Sequence, residues 1–258
     1  MKSRFHRGLA AAALVALFAC AFGLRAAADG PPFVTDDPEP VSLHHWEAYV
    51  SMMYQHGPPG SFGTLPHIEI NNGVAPNTQL HIILPMAFAQ APSAPMAWGY
   101  GDTEVGVKYR FMQEGRRRPM AGIFPLVEVP TGNQVRGLGS GHLQIYLPIW
   151  FQKSWGAWTS YGGGGYWINP GAGNRNWWFG GWLLQKDLNR RLTLGGELFA
   201  STSSGTGQQS QFDFNLGGQY NFDDGHHLLF SAGRSIRGSA DLMAYVGFQW
   251  TFGPHSRQ

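Results

Sequence analysis

Four ionisable side chains recur at even spacing between Asp102 and Arg110: Asp102, Glu104, Lys108 and Arg110, separated by Thr103, Val105, Gly106, Val107 and Tyr109. In an extended backbone successive side chains point to opposite faces, so all four charges share one face, acids at one end and bases at the other. Charges held away from water must be paired whatever else they do. The arrangement therefore reads either as a charged constriction that orients a small solute or as mutual ion pairs that fill and stiffen a wall. Glu128 joins the same face from the next apolar stretch, and His142 from the one after it.

A second constellation lies upstream. Simple hairpin pairing across a turn at Gly73 to Asn77 puts Glu69 opposite His81, both on the polar face. A histidine beside a carboxylate is half of an acyl-transfer triad, and Ser160 or Ser231 could be offered as nucleophile. Neither serine sits in a motif specific to that chemistry, so no catalytic residue is assigned and hydrolysis stays an alternative. His44-His45 and His226-His227 are adjacent in sequence, and neighbours in a strand diverge, so neither pair makes a bidentate metal site. No metal or cofactor is expected.

These side chains need a scaffold that repeats their alternation. Near the C-terminus Leu242, Ala244, Val246, Phe248, Trp250 and Phe252 alternate with Met243, Tyr245, Gly247, Gln249 and Thr251. One face suits lipid and the other water. Stretches 45–55, 64–72, 78–88, 102–111, 119–130, 142–152, 158–168, 192–201, 211–222 and 227–234 show the same division. Residues 162–165 are four glycines in a row, which permit a bend or a close approach. Stretch 176–185 is rich in Trp, and its faces stay unassigned.

Composition agrees with strands in lipid. Charged residues are only 13% of 258, Gly numbers 36 and aromatics reach 14%. No long apolar run follows the N-terminus, which disfavours helical spans, and alternation conceals membrane character from a mean hydropathy of -0.21. Residues 1–28 read as a cleaved export signal: Lys2, Arg4 and Arg7, then an apolar run, then Ala26-Ala27-Ala28. Its removal takes four bases and no acids, turning a formal +2 into 14 − 16 = −2, so no nucleic-acid footprint remains. It also removes Cys20, the one cysteine. Residues 29–43, rich in Pro and acids, read as a periplasmic lead-in, or as a segment folded into the lower mouth with Phe33 as anchor.

The reading is an all-β, transmembrane antiparallel up-and-down β-barrel of about 12 strands over 44–252, with a short tail at 253–258. An even count puts both ends on one side, and the looser links, 131–141, 169–174 and 201–210, fall opposite the tight ones. The link 89–101 is expected to be the longest. About 10 residues per stave at roughly 3.3 Å, tilted by about 40°, give a height of about 25 Å, the apolar band of such barrels. A secreted two-sheet sandwich would need one core to absorb a face of every stave.

Three segments resemble a family of outer-membrane proteins named for association with the meta-pathway of phenol degradation and described as transporters. They are Pro32-Phe33-Val34-Thr35-Asp36-Asp37, the run from Gly101 to Phe111, and Pro125-Leu126-Val127-Glu128-Val129-Pro130-Thr131-Gly132. The resemblance implies an outer-membrane barrel, surrounded by lipid, that carries small organic, including aromatic, compounds. With it, Glu69, His81, Asp102, Glu104, Lys108, Arg110, Glu128 and His142 become the expected wall of a solute path. A plugged barrel without transport is the alternative.

Overall fold

The structure is a computed structural model that describes residues 31–58, 60–238, 240 and 242–254. The expected signal at 1–28 and residues 255–258 of the expected tail lie outside the described residues. The strands are β1 (Trp46–Gly57), β2 (Gly60–Ala75), β3 (Thr78–Gln90), β4 (Ala97–Tyr100), β5 (Thr103–Met112), β6 (Met120–Ile123), β7 (Leu126–Val129), β8 (Gln144–Trp155), β9 (Trp158–Ile168), β10 (Trp177–Asp187), β11 (Leu192–Ser201), β12 (Gln211–Asn221), β13 (His226–Arg237) and β14 (Leu242–Phe252). β4 and β5 both pair with β3, and β6 and β7 both lie between β5 and β8, so the wall is a closed antiparallel barrel of 12 staves. Closure is the pairing of β1 with β14, from Trp46 opposite Phe252 to His56 opposite Leu242.

The polarity of this wall is inverted relative to a protein dissolved in water. Val50, Leu80, Val107, Phe111, Leu147, Ile149, Leu194, Leu198, Leu216 and Val246 are exposed on the outer face. Glu47, Glu69, Asn71, Gln79, His81, Lys108, Gln152, Glu197, Asp213 and Gln249 are buried on the inner one. A period of two with large apolar groups outward lets the outer face be solvated by hydrocarbon while the polar side chains gather on the inner face, where they can pair with one another. Stave β10, whose faces the sequence leaves open, turns Trp178 and Trp182 out and Phe179 and Leu183 in. Stave β13 runs to Arg237, three residues past the expected end at 234.

Three sequence expectations are corrected. The link expected at 89–101 is shortened by strand at both ends: β3 runs to Gln90, β4 pairs with β3, and the Gly101 amide still donates to the Pro85 carbonyl at 2.9 Å, leaving 91–96 as the connection. The longest link is 130–143, which carries a single 3-10 turn at Gln134–Arg136. Stave 119–130 is broken at Phe124-Pro125, because proline has no amide hydrogen for the ladder, although the Pro125 carbonyl accepts from the Val107 amide at 3.0 Å. Finally, β2 continues to Ala75 and turns at Pro76-Asn77, where Asn77 takes φ +62°, a conformation asparagine tolerates. A register shift between Gly73 and Ala75 then places Asn71, not Glu69, opposite His81.

The start of β1, the end of β14 and the links 76–77, 113–119, 156–157, 188–191 and 222–225 share one rim, called near; 91–96, 130–143, 169–176 and 202–210 lie at the far rim. An arginine replacing Leu216 at mid-belt should cost about 2–4 kcal/mol of folding free energy in vesicles, against roughly 0–1 kcal/mol for Phe222→Arg at the rim. Guanidinium titration of refolded barrels checks both values, and equal costs would contradict a lipid-facing belt.

Candidate functional site

Residues 31–43 run within the barrel, touching inner-face side chains of β3, β5, β11 and β13. The Pro32 carbonyl accepts from Ser231 Oγ at 2.6 Å. The amides of Val34 and Thr35 both donate to the Glu197 carboxylate. Lys108 Nζ reaches Asp36 Oδ1 at 3.0 Å and Asp37 Oδ1 at 3.8 Å. Arg110 Nη1 meets Glu39 Oε1 at 3.2 Å, and the Val41 amide donates to Gln79 Oε1 at 2.8 Å. The segment is prolines and acids, unable to form a ladder, so its backbone polar groups are satisfied by wall side chains instead. Two wall glycines leave room for it: a Cβ on Gly181 would fall 2.0 Å from Thr35 Oγ1, and one on Gly122 would fall 3.1 Å from Pro38 Cβ. The hold comes from Thr35, Asp36 and Asp37, with Thr35 and Asp37 fully buried and Phe33 only half-buried.

The charged face of β5 is thereby divided by partner. Lys108 and Arg110 are taken up by the segment, and Arg110 also donates to Asn77 Oδ1 from both Nε and Nη2, at 3.1 and 2.9 Å. Glu104 accepts from or shares a proton with His81 Nε2 at 2.9 Å. His81 Nδ1 lies 2.7 Å from Asn71 Oδ1 and 3.5 Å from Glu69 Oε1, and Asn71 Nδ2 donates to Glu69 Oε1 at 2.8 Å. Glu69, Asn71, His81 and Glu104 thus form one polar chain across β2, β3 and β5. Glu128 is opposite Glu104 in register. Asp102 leaves this group and holds the far-rim link, accepting from the amides of Gly132 at 2.8 Å and Ser140 at 2.5 Å. His142 also belongs to that rim, its ring lying where a Cβ on Gly171 would be.

Sequence reasoning assigned no lumen role to the aromatics on the other side. Tyr146 stacks on Phe179 with ring centroids 4.5 Å apart, Trp167 stacks on Trp177 at 5.2 Å, and Phe179 stacks on Phe199 at 6.2 Å. Tyr146, Trp167, Trp177 and Phe199, with Phe124 and Tyr245, line a cavity of about 400 Å³ together with the segment's Pro32 and Phe33; its polar side is Glu69, His81 and Glu104. A second cavity of about 520 Å³, lined by His67, Glu104, Glu128 and the far-rim link, shares Met53, Gln55, His67, Ile83 and Glu104 with the first. The signal was present in the sequence: Tyr146, Trp167, Trp177, Phe179 and Phe199 all fall on the inner parity once the faces of β10 are known.

The serines do not form a triad with His81. Ser160 points outward, where Trp182 Nε1 donates to it at 2.8 Å, and the Ser231 hydroxyl is used on Pro32. Among the described residues no group of three or more His, Cys, Asp or Glu side chains is placed to hold a metal ion.

No family model matches the chain, and no curated protein does either. Among solved structures it is similar to an outer-membrane channel of Pseudomonas putida F1, with a TM-score of 0.70 and 13% identity over 88% of this chain and 100% of that one. It is also similar to the KdgM porin in complex with disordered oligogalacturonate (TM-score 0.56, 15% identity, 80% of this chain and 99% of that one). The NanC porin gives a TM-score of 0.54 at 9% identity, over 81% of this chain and 100% of that one. At these identities the likeness is one of fold: a closed barrel of the outer-membrane kind.

Removing one partner of a buried ion pair leaves the other charge stranded, at a cost of about 3–5 kcal/mol. Lys108→Ala is expected to lose stability on that scale and to raise amide exchange in residues 34–41. Combining it with Asp36→Asn and Asp37→Asn should recover part of the stability but not the protection. Exchange unchanged in Lys108→Ala would show that the pair does not hold the segment.

Proposed function

We propose that the protein is an outer-membrane channel or facilitator for small organic solutes, aromatic ones included, and that residues 31–43 set the bore of its lumen. The observation that carries this is the cavity of about 400 Å³ between the segment and the stacked rings of Tyr146, Trp167, Trp177 and Phe199. Rings supply sequence-independent, orientation-tolerant contact to a flat apolar solute, while Glu69, His81 and Glu104 offer hydrogen bonds to a hydroxyl or amine on it. Its continuity with the second cavity extends the path toward the far rim, past Glu128 and the link held by Asp102. The wall residues Glu69, His81, Asp102, Glu104, Lys108, Arg110, Glu128 and His142 would then act unequally. Glu69, His81, Glu104 and Glu128 border the solute, Lys108 and Arg110 hold the segment, and Asp102 and His142 shape the far entrance. The similarity to channels and porins, and the resemblance to proteins of an aromatic-degradation pathway, support the same reading.

The Lys108, Asp36 and Asp37 cluster favours a second reading, a barrel kept sealed by its own N-terminal segment. Planar-bilayer recordings of the purified protein distinguish them. The channel reading expects small but measurable conductance in the wild type and a several-fold rise on deleting residues 31–41. It also expects phenol uptake into proteoliposomes that falls with Trp177→Ala or Tyr146→Ala at unchanged ion conductance. Absence of ion and phenol flux in the wild type, with ion flux appearing only in the deletion, would favour the barrel sealed by the segment; absence of flux in both would contradict both readings. Ion flux without an effect of the ring substitutions would remove the aromatic preference alone.

A further inference from the structure

The near rim carries its charge unevenly. The links 113–119, 156–157 and 188–191 follow one another along it, because the staves that they join are consecutive around the barrel. On and beside them lie Arg116, Arg117, Arg118, Lys153, Lys186, Arg190 and Arg191, against two acids, Glu114 and Asp187. The acids are already engaged. Glu114 Oε1 meets Lys153 Nζ at 2.7 Å and the Ser154 amide at 3.1 Å, and Asp187 accepts from Thr193 Oγ1 at 2.6 Å. Burial pushes the Glu114 carboxyl up, but those bonds outweigh it and hold its pKa below the ordinary value. Arg116, Arg117 and Arg118 are exposed and have no ion pair among the described residues. The next link along the rim, 222–225, carries Asp223 and Asp224, so the excess of positive charge is confined to one sector.

Directly below those arginines the outer face has a groove of about 330 Å³, bordered by Pro119, Phe151, Trp155, Ser160, Gly162 and Trp182. It exists because Gly162 lies beside Trp182 in register and places no side chain between the indole of Trp182 and the rings of Phe151 and Trp155. Trp182 is fixed by its bond to Ser160, and Lys186 Nζ lies 4.9 Å from the ring centroid of Trp158. The groove opens onto the apolar belt and ends at the cations.

We propose that this sector of the near rim is a binding site for an anionic phospholipid of the adjoining leaflet, its acyl chain in the Gly162 groove and its phosphate on Arg116, Arg117 and Arg118. Charge complementarity selects the head group, since each basic residue near an anionic surface adds to attraction and falls off within a Debye length. The groove selects a lipid over a soluble polyanion, which has nothing to place between Trp155 and Trp182. Aromatic side chains at this level are the usual anchors of a barrel in the interface. The site is outside the lumen and requires only that the barrel sit in a bilayer, so it stands or falls separately from solute transport.

Native mass spectrometry of the intact barrel, titrated with phosphatidylglycerol or phosphatidylethanolamine of the same chains, tests the site. One phosphatidylglycerol is expected to bind about tenfold more tightly than phosphatidylethanolamine. Arg116→Glu with Arg117→Glu and Arg118→Glu should abolish that preference, while Arg234→Glu with Arg237→Glu, toward the far rim, should keep it. Both variants should retain the heat-modifiable gel mobility of a folded barrel. Ser160→Phe, which narrows the groove, should weaken phosphatidylglycerol about tenfold with the arginines intact. Equal affinity for the two lipids would overturn the proposal. So would tripolyphosphate competing as well as the lipid, which would indicate a soluble polyanion, or a preference for lipid A over phosphatidylglycerol, which would put this rim in the other leaflet.

Discussion

Pairing of β1 with β14 closes the sheet on itself, and closure is the condition for a sheet to persist in hydrocarbon. Once the sheet closes, its two faces lose their equivalence. The outer face meets solvent that cannot hydrogen-bond, so it carries Leu, Val, Ile and Phe; the inner face must satisfy its polar groups within a confined volume. Glu47, Tyr49 and Gln249 show how: Tyr49 donates to Glu47 at 2.7 Å and accepts from Gln249 at 3.0 Å, linking β1 to β14 across the seam.

Confinement also explains why a segment without regular structure is ordered. Residues 31–43 have no ladder and few apolar groups, and in water such a composition would not fold. Inside the barrel their carboxylates meet Lys108 and Arg110 and their amides meet Glu197 and Gln79, so the wall supplies the partners that a helix or a strand would have supplied internally. The same wall reserves space for them at Gly181 and Gly122.

Sequence alternation alone located the staves well, because a period of two leaves little freedom once one face must be apolar. Stave β14 was readable from Leu242 to Phe252 without error, and the inner placement of Glu104, Lys108 and Arg110 followed from parity. What escaped was everything that parity does not determine. Register across this hairpin is set by the turn falling at Pro76-Asn77 and by the bulge between Gly73 and Ala75, which together put His81 opposite Asn71 rather than Glu69. The break at Phe124-Pro125 turned one stave into two and aimed Phe124 at His81, their ring centroids 5.0 Å apart. The carboxylate partners of Lys108 and Arg110 lie more than seventy residues away in a stretch with no periodicity, so no local pattern could name them. The aromatic wall was hidden for a plainer reason: β10 has rings on both faces, and its direction is set only by its neighbours.

The division of β5 by partner bears on the lumen's field as well as its width. Lys108 and Arg110 stand on the near half, while Glu104 and Glu128 stand farther along the same axis. With the segment in place, Asp36, Asp37 and Glu39 cover the two bases. Were it to withdraw, three carboxylates would leave together and the bases would face the acids along the axis, a permanent dipole in a low-dielectric tube. On the channel reading proposed above, the occupied barrel would pass ions with little directional bias and the vacated one would rectify.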